Sequence, residues 1–426
     1  MKYLLLLITF FLLNSYSFAQ QNYDESKVPD FTLPDPLTFS NGNKVTTVKQ
    51  WEKQRRPELL ELFSSQMYGR TPEDKIEVSY ETLSENPNFM NGKATSKQVK
   101  FIFTNGQKKH EAILLLVLPN QSKGKVPVFV AYNFKGNHGT TFDTSIILPS
   151  ILSMPDIPQY WRWSSGDRER GCDATRWPFE MFIERGYGLA TMSYQDIYPD
   201  IAGKGEEHSI VTLFPDYSPE RKAPDEWQAL GAWAWGSSRI VDYLETQKRV
   251  DKKKIALMGL SRHGKAALWA GVQDERFKIV ISCESGFGGA KLSRRMFGEN
   301  IAFNLRLDTH RYCPAFYKYV GNEAGLPFDQ HELIALIAPR KVYISSAEED
   351  QLADPKGEFL SGYYAGPVYE LYGLKGLGTN VQPYVHQPIM NDIGYHIRAG
   401  VHDATSYDWK CYLDFADKHF GKPAGL

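Results

Sequence analysis

The sequence predicts an α/β fold with a mostly parallel central sheet, and two patterns support this. From Gly188 onward, four runs of β-branched or apolar residues alternate with helix-length segments rich in good helix formers. Such alternation indicates parallel strands, because parallel neighbours need long crossover connections. The runs 126–131 and 254–258 are apolar without alternation, which is typical of strands covered on both faces. We therefore expect a three-layer αβα sandwich.

The first residues predict export. Lys2 precedes the apolar run 4–13, and Ser17-Phe-Ala19 follows it, as in a secretory signal peptide. The apolar run is too short to stay in a bilayer as a transmembrane helix. We expect residues 1–19 to be removed and the mature protein to be periplasmic or extracellular, monomeric and without a membrane partner.

Composition narrows the possible functions. Lys and Arg total 49 against 50 for Asp and Glu, so no broad basic surface is available for nucleic acid. The 24 Phe, 24 Tyr and 9 Trp exceed what a core needs, and flat rings stack on sugar faces, which favours a carbohydrate ligand. Four cysteines are too few for a disulfide scaffold, and we expect free thiols.

Residues 20–75 are rich in Pro, Asn and charged residues and are predicted to wrap around a catalytic domain of residues 76–426. The leader contains one predicted helix, 51–67. Strands are predicted at 100–103, 111–118, 126–134, 188–193, 254–258, 278–283, 341–346 and 394–397. Helices are predicted at 227–246, 264–273 and 405–419. The segments 139–178 and 357–388 are predicted to be loop insertions that roof a site.

One predicted strand end carries a functional motif. The strand 254–258 runs into Gly259-Leu-Ser-Arg-His-Gly-Lys265 and then into a predicted helix. Two glycines that bracket a serine on a tight strand-to-helix turn lift its hydroxyl out of the turn, while backbone N–H groups of the helix start face the same space. Ser261 is therefore a candidate nucleophile.

The same segment also fits most of a phosphate-binding loop, Gly-x-x-x-x-Gly-Lys. That interpretation would make the protein an ATPase or kinase. It is disfavoured because Ala266 lacks the hydroxyl that holds magnesium in such loops. An exported protein also meets little nucleotide.

A serine nucleophile on such a turn needs an acid and then a histidine later in the chain. Glu284 and Asp350 follow the next two predicted strands, and His402 lies between the last strand and the closing helix. Either carboxylate can hold the imidazole in the tautomer that accepts the serine proton, and spacing does not decide between them. A zinc site of His386, His396 and His402 matches no compact motif, so we expect no metal and no cofactor.

Several segments recur together in one known family. They are Gly259-Leu-Ser-Arg-His-Gly-Lys265, Glu284-Ser-Gly-Phe-Gly-Gly289, Phe328-Asp-Gln-His-Glu332, Glu348-Glu-Asp-Gln-Leu-Ala-Asp-Pro355 and Gly400-Val-His-Asp403. With these segments the chain resembles the glucuronoyl esterases of carbohydrate esterase family fifteen, in their bacterial form. The likeness extends over nearly the whole mature chain.

The resemblance implies an α/β-hydrolase fold and a secreted serine esterase. Its substrate would be the ester between 4-O-methyl-glucuronoyl groups of glucuronoxylan and lignin alcohols. Ser261 would attack the carbonyl, with His402 as base. Glu284 would be the primary acid, since the Glu-Ser-Gly-x-Gly-Gly form is usual in the family, and Asp350 a second support.

The resemblance also implies roles for three neighbouring side chains. Arg262 would direct its guanidinium at the oxyanion, where negative charge develops. Lys265 and Glu299 match family positions that hydrogen-bond hydroxyls of the uronate ring.

Two positions depart from the family pattern. Leu352 stands where a tryptophan usually faces the sugar. Arg311, in His310-Arg-Tyr-Cys313, stands at the tryptophan position of a His-Trp-Phe-Cys run that is common in the family. Each lost ring removes about 0.5–1.5 kcal/mol of stacking. Two alternatives therefore remain: an esterase of the same fold acting on acetylated xylan or pectin methyl ester, and a sugar-binding protein with a disabled site.

Overall fold

A ten-stranded sheet runs through the centre of the protein. The computed structural model describes residues 21–148, 169–218 and 223–423. The predicted signal peptide and the middle of the predicted loop 139–178 lie outside these residues. Within them, no helix has the length and apolar character needed to cross a bilayer.

The predicted strands are all present, and most are longer than expected. They are β1 (Glu77–Phe89), β2 (Ala94–Asn105), β3 (Lys108–Pro119), β4 (Val126–Asn133), β5 (Gly188–Ser193), β6 (Val250–Leu260), β7 (Phe277–Cys283), β8 (Lys341–Ala347), β9 (Ile389–Met390) and β10 (Ile393–Arg398). Strands β1 and β9 were not predicted. β1 is mostly exposed and polar, so it lacks the apolar signal that identifies a buried strand.

The sheet has an antiparallel end and a parallel centre. The strand order is β1-β2-β3-β5-β4-β6-β7-β8-β10-β9. Strands β5, β4, β6, β7, β8 and β10 run parallel to their neighbours in this order. Strands β1 to β3 form an antiparallel meander that joins β5. All eight residues of β4 are buried, as expected for a strand covered on both faces.

Helices cover both faces of the sheet. They are α1 (Val48–Gln50), α2 (Arg56–Phe63), α3 (Phe179–Glu184), α4 (Ala229–Thr246), α5 (Arg262–Gln273), α6 (Ile301–Leu307), α7 (Gln330–Ala335), α8 (Pro355–Tyr364), α9 (Gly366–Leu371) and α10 (Ser406–Phe420). Two buried apolar clusters result, one on each side of the sheet. This is the predicted αβα sandwich.

The segment 357–388 is not the loop that the sequence analysis predicted. Its first part forms α8 and α9, which connect β8 to β10. The segment is rich in Gly, Tyr and Pro, which conceals its helical character, but the Asp354 side chain caps α8 and Pro355 begins it, both favourable at a helix start. The cavity described below is not lined by this segment.

The segment before β1 is fastened to the catalytic domain at several points. The backbone N–H of Gly298 donates to the carbonyl oxygen of Asn22 at 2.8 Å. Glu25 pairs with the buried Arg295. Farther along, Arg55 donates to the buried Glu332 at 2.9 Å.

The cysteines are free thiols. Cys283, Cys313 and Cys411 are buried, and Cys172 is exposed. Burial raises the pKa of Cys411 to about 11, so this thiol stays protonated at neutral pH.

Candidate active site

Ser261 lies on the turn between β6 and α5 in a strained backbone conformation. Its φ is +58°, in the left-handed region that L-residues rarely adopt. The flanking glycines permit this tight turn: a Cβ on Gly259 would lie 2.0 Å from the His263 carbonyl oxygen, and one on Gly264 would lie 2.8 Å from the Ser285 Cβ. The turn has the geometry that the glycine spacing predicts.

A cavity of about 490 Å³ opens at the carboxyl ends of the parallel strands. Ser261, Arg262 and His402 all line it. Phe134, which follows β4, and Tyr194, which follows β5, form part of its wall. Active sites of open α/β sheets lie at this edge, because loops from several strands converge there. The structure thus brings the predicted nucleophile, base and oxyanion-binding side chain to one cavity.

Two carboxylates approach the same nitrogen of His402. Its Nδ1 lies 2.6 Å from Asp350 Oδ2 and 3.2 Å from Glu284 Oε2. The two acids follow β7 and β8, which are parallel neighbours, so both reach one imidazole. Since carboxylates accept, Nδ1 carries the proton and Nε2 remains as the basic nitrogen. Asp350 makes the shorter contact, whereas Glu284 was expected to be the primary acid.

Glu284 has further partners that explain its longer contact. Arg398 Nη2 donates to Glu284 Oε1 at 2.6 Å, and the backbone N–H of Asp403 donates to Oε2 at 2.9 Å. Arg398 also donates to the buried Asp408 at 2.9 Å. Glu284 therefore fixes the loop that carries His402 as well as contacting the imidazole. Arg398 was not predicted, since no local motif connects the end of β10 to Glu284.

The two acids change the ionisation of the histidine. Desolvation opposes protonation of His402, but the hydrogen bonds to Asp350 and Glu284 outweigh it and raise the pKa of His402 to about 10. Burial raises the pKa of Glu284, although His402 and Arg398 oppose this. The site thus favours the imidazolium, the form produced when a histidine takes a serine proton.

A third acid, Glu358 on α8, lies behind the other two and is fully buried. It accepts from the backbone N–H of Gly286 at 3.0 Å and from the Ser346 hydroxyl at 2.7 Å. These partners lie at the ends of β7 and β8, next to Glu284 and Asp350. Burial raises the pKa of Glu358 to about 8, so it is mainly protonated at neutral pH.

On the other side of Ser261, one buried acid holds three basic side chains. Asp200 pairs with Arg262, with Arg311 at 2.7 Å and with His310 Nε2 at 2.7 Å. Burial opposes ionisation of Asp200, but Arg311, Arg262 and the His310 hydrogen bond hold its pKa well below the usual range. This network orients the guanidinium of Arg262 within the cavity. No role was predicted for Asp200 or His310, because no sequence motif links either residue to Ser261.

Lys265 and Glu299 form a pair beside the cavity rather than in its wall. Lys265 Nζ lies 3.5 Å from Glu299 Oε2 and donates to the Phe287 carbonyl at 2.5 Å. The Lys265 side chain is 4% exposed and that of Glu299 is 17% exposed. The backbone N–H of Glu299 donates to the carbonyl of Leu352, so the pair adjoins the position where the family ring is missing.

Two compact groups of potential metal ligands occur in the described part of the chain. One is Glu284, Asp350 and His402, and the other is Cys283, Glu284 and Asp408. The Arg398 guanidinium lies between Glu284 and Asp408 and already supplies their positive partner. The donor atoms are thus engaged with one another, as in a proton relay.

Comparison with known proteins decides the family. A profile of fungal glucuronyl esterases matches residues 210–373. The carbohydrate esterase MZ0003, from an unknown prokaryotic organism, is 42% identical over 404 residues, which cover 93% of this chain and 92% of that protein. The chain belongs to the glucuronoyl esterase family. Its fold is accordingly the α/β-hydrolase fold, and it is a carboxylic ester hydrolase.

Solved structures agree with this family assignment. The glucuronoyl esterase from Solibacter usitatus superposes with a TM-score of 0.86 at 42% identity, covering 93% of this chain and all of that one. A 4-O-methyl-glucuronoyl methylesterase of Podospora anserina is 29% identical over 327 residues, which cover 73% of this chain and 54% of that protein. The resemblance inferred from the sequence motifs is confirmed.

Proposed function

We propose that this glucuronoyl esterase is an exported serine esterase that cleaves the ester between glucuronoyl groups of glucuronoxylan, with or without a 4-O-methyl group, and lignin alcohols. The observation that carries the proposal is the paired contact of Asp350 and Glu284 with His402 Nδ1, in the cavity that contains Ser261. That arrangement suits a histidine that takes a proton and becomes cationic during attack.

In the first half of the reaction, the Ser261 hydroxyl attacks the ester carbonyl while His402 Nε2 takes its proton. Asp350 and Glu284 stabilise the imidazolium that forms. His402 then donates this proton to the departing alcohol oxygen as the carbon–oxygen bond breaks. The uronoyl group remains on Ser261 as an acyl-enzyme.

In the second half, water attacks the acyl carbonyl and gives a proton to His402, which returns it to Ser261 as the uronic acid leaves. Each half passes through a tetrahedral oxyanion. Arg262 is proposed to stabilise this charge, because Asp200 orients its guanidinium before the reaction and no reorganisation is then needed.

Lys265 and Glu299 are proposed to bind hydroxyls of the uronate ring. Glu299 is the more accessible of the two, so we assign it the direct contact and Lys265 the orienting one. No metal or cofactor takes part in the proposed reaction.

The central experiment is hydrolysis of benzyl glucuronate by the wild type and by Ser261→Ala. Loss of the nucleophile should reduce kcat by at least about 10⁴-fold. Ser122→Ala, on the turn before β4 at the opposite end of the parallel strands, is the matched control and should retain full activity. Unchanged turnover in Ser261→Ala would contradict the mechanism.

The substrate class is tested by comparing four esters: benzyl glucuronate, its 4-O-methyl derivative, acetylated xylan and pectin methyl ester. We expect the glucuronate esters to react fastest. If acetate is released faster from acetylated xylan, or methanol from pectin methyl ester, the protein is an esterase specific for that ester and the proposed substrate is wrong. Uronate binding without any turnover would indicate a sugar-binding protein.

Export is tested separately. Expression of the full chain should yield mature protein outside the cytoplasm that begins at Gln20, the residue after the proposed cleavage point. An N-terminal sequence that still contains residues 1–19 would contradict this part of the proposal.

A further inference from the structure

A second cavity adjoins the catalytic one. Its volume is about 520 Å³, comparable to the 490 Å³ of the catalytic cavity, and His310 lines both. Four tyrosines surround it, and we call it the tyrosine cleft: Tyr198, Tyr217, Tyr312 and Tyr317. A ligand that fills both cavities can thus continue from the catalytic cavity past His310 into the cleft.

The rings of the cleft are held in place and one is well exposed. Tyr317 is 39% exposed, and its hydroxyl donates to the Thr309 carbonyl at 2.7 Å, which fixes the ring. Tyr217 is half-buried. Tyr198 is buried and stacks on His310, with ring centroids 6.3 Å apart. Exposed, immobilised aromatic faces are surfaces on which pyranose rings stack.

Two buried polar atoms of the cleft have no hydrogen-bond partner among the described residues. They are the Tyr198 hydroxyl and His310 Nδ1. The Asp200 carboxylate accepts from His310 Nε2, so Nδ1 is the ring nitrogen left for another partner, and the Tyr198 hydroxyl can donate or accept. Buried polar atoms are normally satisfied, so these two atoms call for a polar ligand. Sugar hydroxyls, which both donate and accept, have the chemistry to pair with either atom.

Charge distinguishes the cleft from the catalytic cavity. The cleft is lined by Glu206 and by Glu207, which lies 3.7 Å from Lys204 Nζ, and no lysine or arginine is among its described lining residues. The lining of the catalytic cavity instead includes one lysine and three arginines: Lys135, Arg176, Arg262 and Arg311. Carboxylates accept hydrogen bonds from sugar hydroxyls but repel a second uronate. The cleft therefore suits a neutral, hydroxylated ligand.

From these features we infer that the tyrosine cleft is a subsite for neutral pyranose residues of the polysaccharide chain to which the esterified uronate is attached. The inference rests on the proposed function, because it takes the uronate ester to occupy the catalytic cavity. An aryl alcohol group is the less suitable occupant, since it would leave the Tyr198 hydroxyl and His310 Nδ1 without partners.

The kinetic test compares benzyl glucuronate with the benzyl ester of glucuronic acid carried on xylotriose. The measured quantity is the ratio of kcat/KM for the xylotriose-linked ester to kcat/KM for the free ester. Tyr317→Ala should lower this ratio about fivefold through loss of stacking. Tyr317→Phe, which keeps the ring, should preserve most of it. Tyr384→Ala removes an 81% exposed tyrosine outside both cavities and is the matched control.

Equal losses on both esters in Tyr317→Ala would overturn the inference, because they would indicate a general structural effect. A series of glucuronate esters with methyl and bulky aryl alcohols tests the other occupant. If Tyr317→Ala selectively slows the aryl esters, the cleft binds the alcohol and the inference is wrong.

A binding experiment separates this inference from the proposed function. Xylotriose should bind the Ser261→Ala variant in calorimetry, and adding Tyr198→Phe should weaken binding several-fold without lowering the Tm. The hydroxyl removed has no partner in the free protein, so stability is not expected to fall. If the wild type proves inactive on glucuronate esters but this pattern is found, the subsite stands and the proposed function fails. Unaltered affinity in Tyr198→Phe would contradict the subsite.

Discussion

The two sides of Ser261 differ in the number of acids and bases that contact one another. On one side, two acids, Asp350 and Glu284, contact a single base, His402. On the other side, a single acid, Asp200, contacts three bases, among them Arg262. The first arrangement contains a spare acid. In the second, Arg311 has a further carboxylate partner, Asp308 at 2.6 Å, but Arg262 and His310 pair with Asp200 alone among the described ion pairs. Substitutions on the two sides should therefore differ in severity.

The largest effect is expected at Asp200. In Asp200→Asn, two guanidiniums and an imidazole lose their one shared carboxylate, and removing one partner from a buried ion pair typically costs about 3–5 kcal/mol. We expect a clear drop in the free energy of unfolding, measured by urea titration. We also expect kcat on benzyl glucuronate to fall by more than about 10²-fold, because Arg262 is no longer oriented.

A matched control at the edge of the molecule is Asp35→Asn, which removes an exposed carboxylate that pairs with Lys44. It should change stability by less than about 1 kcal/mol and leave kcat intact. If Asp200→Asn behaved like this control, the single-anchor interpretation would be wrong.

The next effect is expected at the two acids on His402. Asp350→Asn should lower kcat by about 10²-fold, whereas the double variant Asp350→Asn with Glu284→Gln should approach the roughly 10⁴-fold loss typical of a triad without its acid. The factor by which the kcat loss of the double variant exceeds the product of the two single losses measures how far Glu284 can replace Asp350. Purely multiplicative losses would show that the two acids act independently.

Glu284→Gln alone should affect stability more than activity. Glu284 also anchors Arg398 and the backbone of Asp403, so its loss leaves Arg398 with Asp408 as its remaining carboxylate partner. We expect a lower Tm and a smaller decrease in kcat than in Asp350→Asn. A larger kcat decrease in Glu284→Gln would restore Glu284 to the primary position that the family motif implied.

The pH profile should separate the two acids further. Each carboxylate favours the imidazolium, and together they raise the pKa of His402. The reactive base form of the wild type therefore grows toward alkaline pH. Neutralising Asp350 should lower the pKa of His402 and move the acid limb of kcat/KM toward lower pH. If the acid limb of kcat/KM shifts to higher pH or does not shift, His402 is not the titrating base.

The smallest effect on activity is expected at Glu358, whose substitution should instead change the pH dependence of stability. Burial raises its pKa in the folded protein to about 8, from the ordinary glutamate value of 4.5. Its contribution to stability is therefore complete below pH 4.5 and is lost as pH rises toward 8. Glu358→Gln keeps a neutral side chain at every pH, so the variant should lose less stability than the wild type between these pH values. Parallel Tm-versus-pH curves would contradict this assignment.

These comparisons also show what could be predicted from the sequence. The strand at Gly188–Ser193 was placed to the residue, because a fully buried strand shows an uninterrupted run of suitable residues. The serine turn was identified because its glycines are adjacent in sequence to the nucleophile. The choice between Glu284 and Asp350 was not predictable, since both follow neighbouring parallel strands and only side-chain geometry separates them.

Asp200 illustrates a different limit. Its partners Arg262, His310 and Arg311 lie 62 to 111 residues away in the chain, so no local pattern reveals the network. Arg311 could be recognised only as a departure from the family pattern. The structure shows its role: where an aromatic ring was expected, a guanidinium completes the set that surrounds Asp200.

The attachment of Asn22 to Gly298 has a practical consequence for producing the protein. Glu299, a proposed sugar contact, is the residue after Gly298, so Asn22 lies close to the proposed substrate site. An affinity tag joined ahead of residue 21 would begin next to that site and compete with a polysaccharide for space. A tag placed after α10 avoids this interference and is preferable for all the kinetic comparisons.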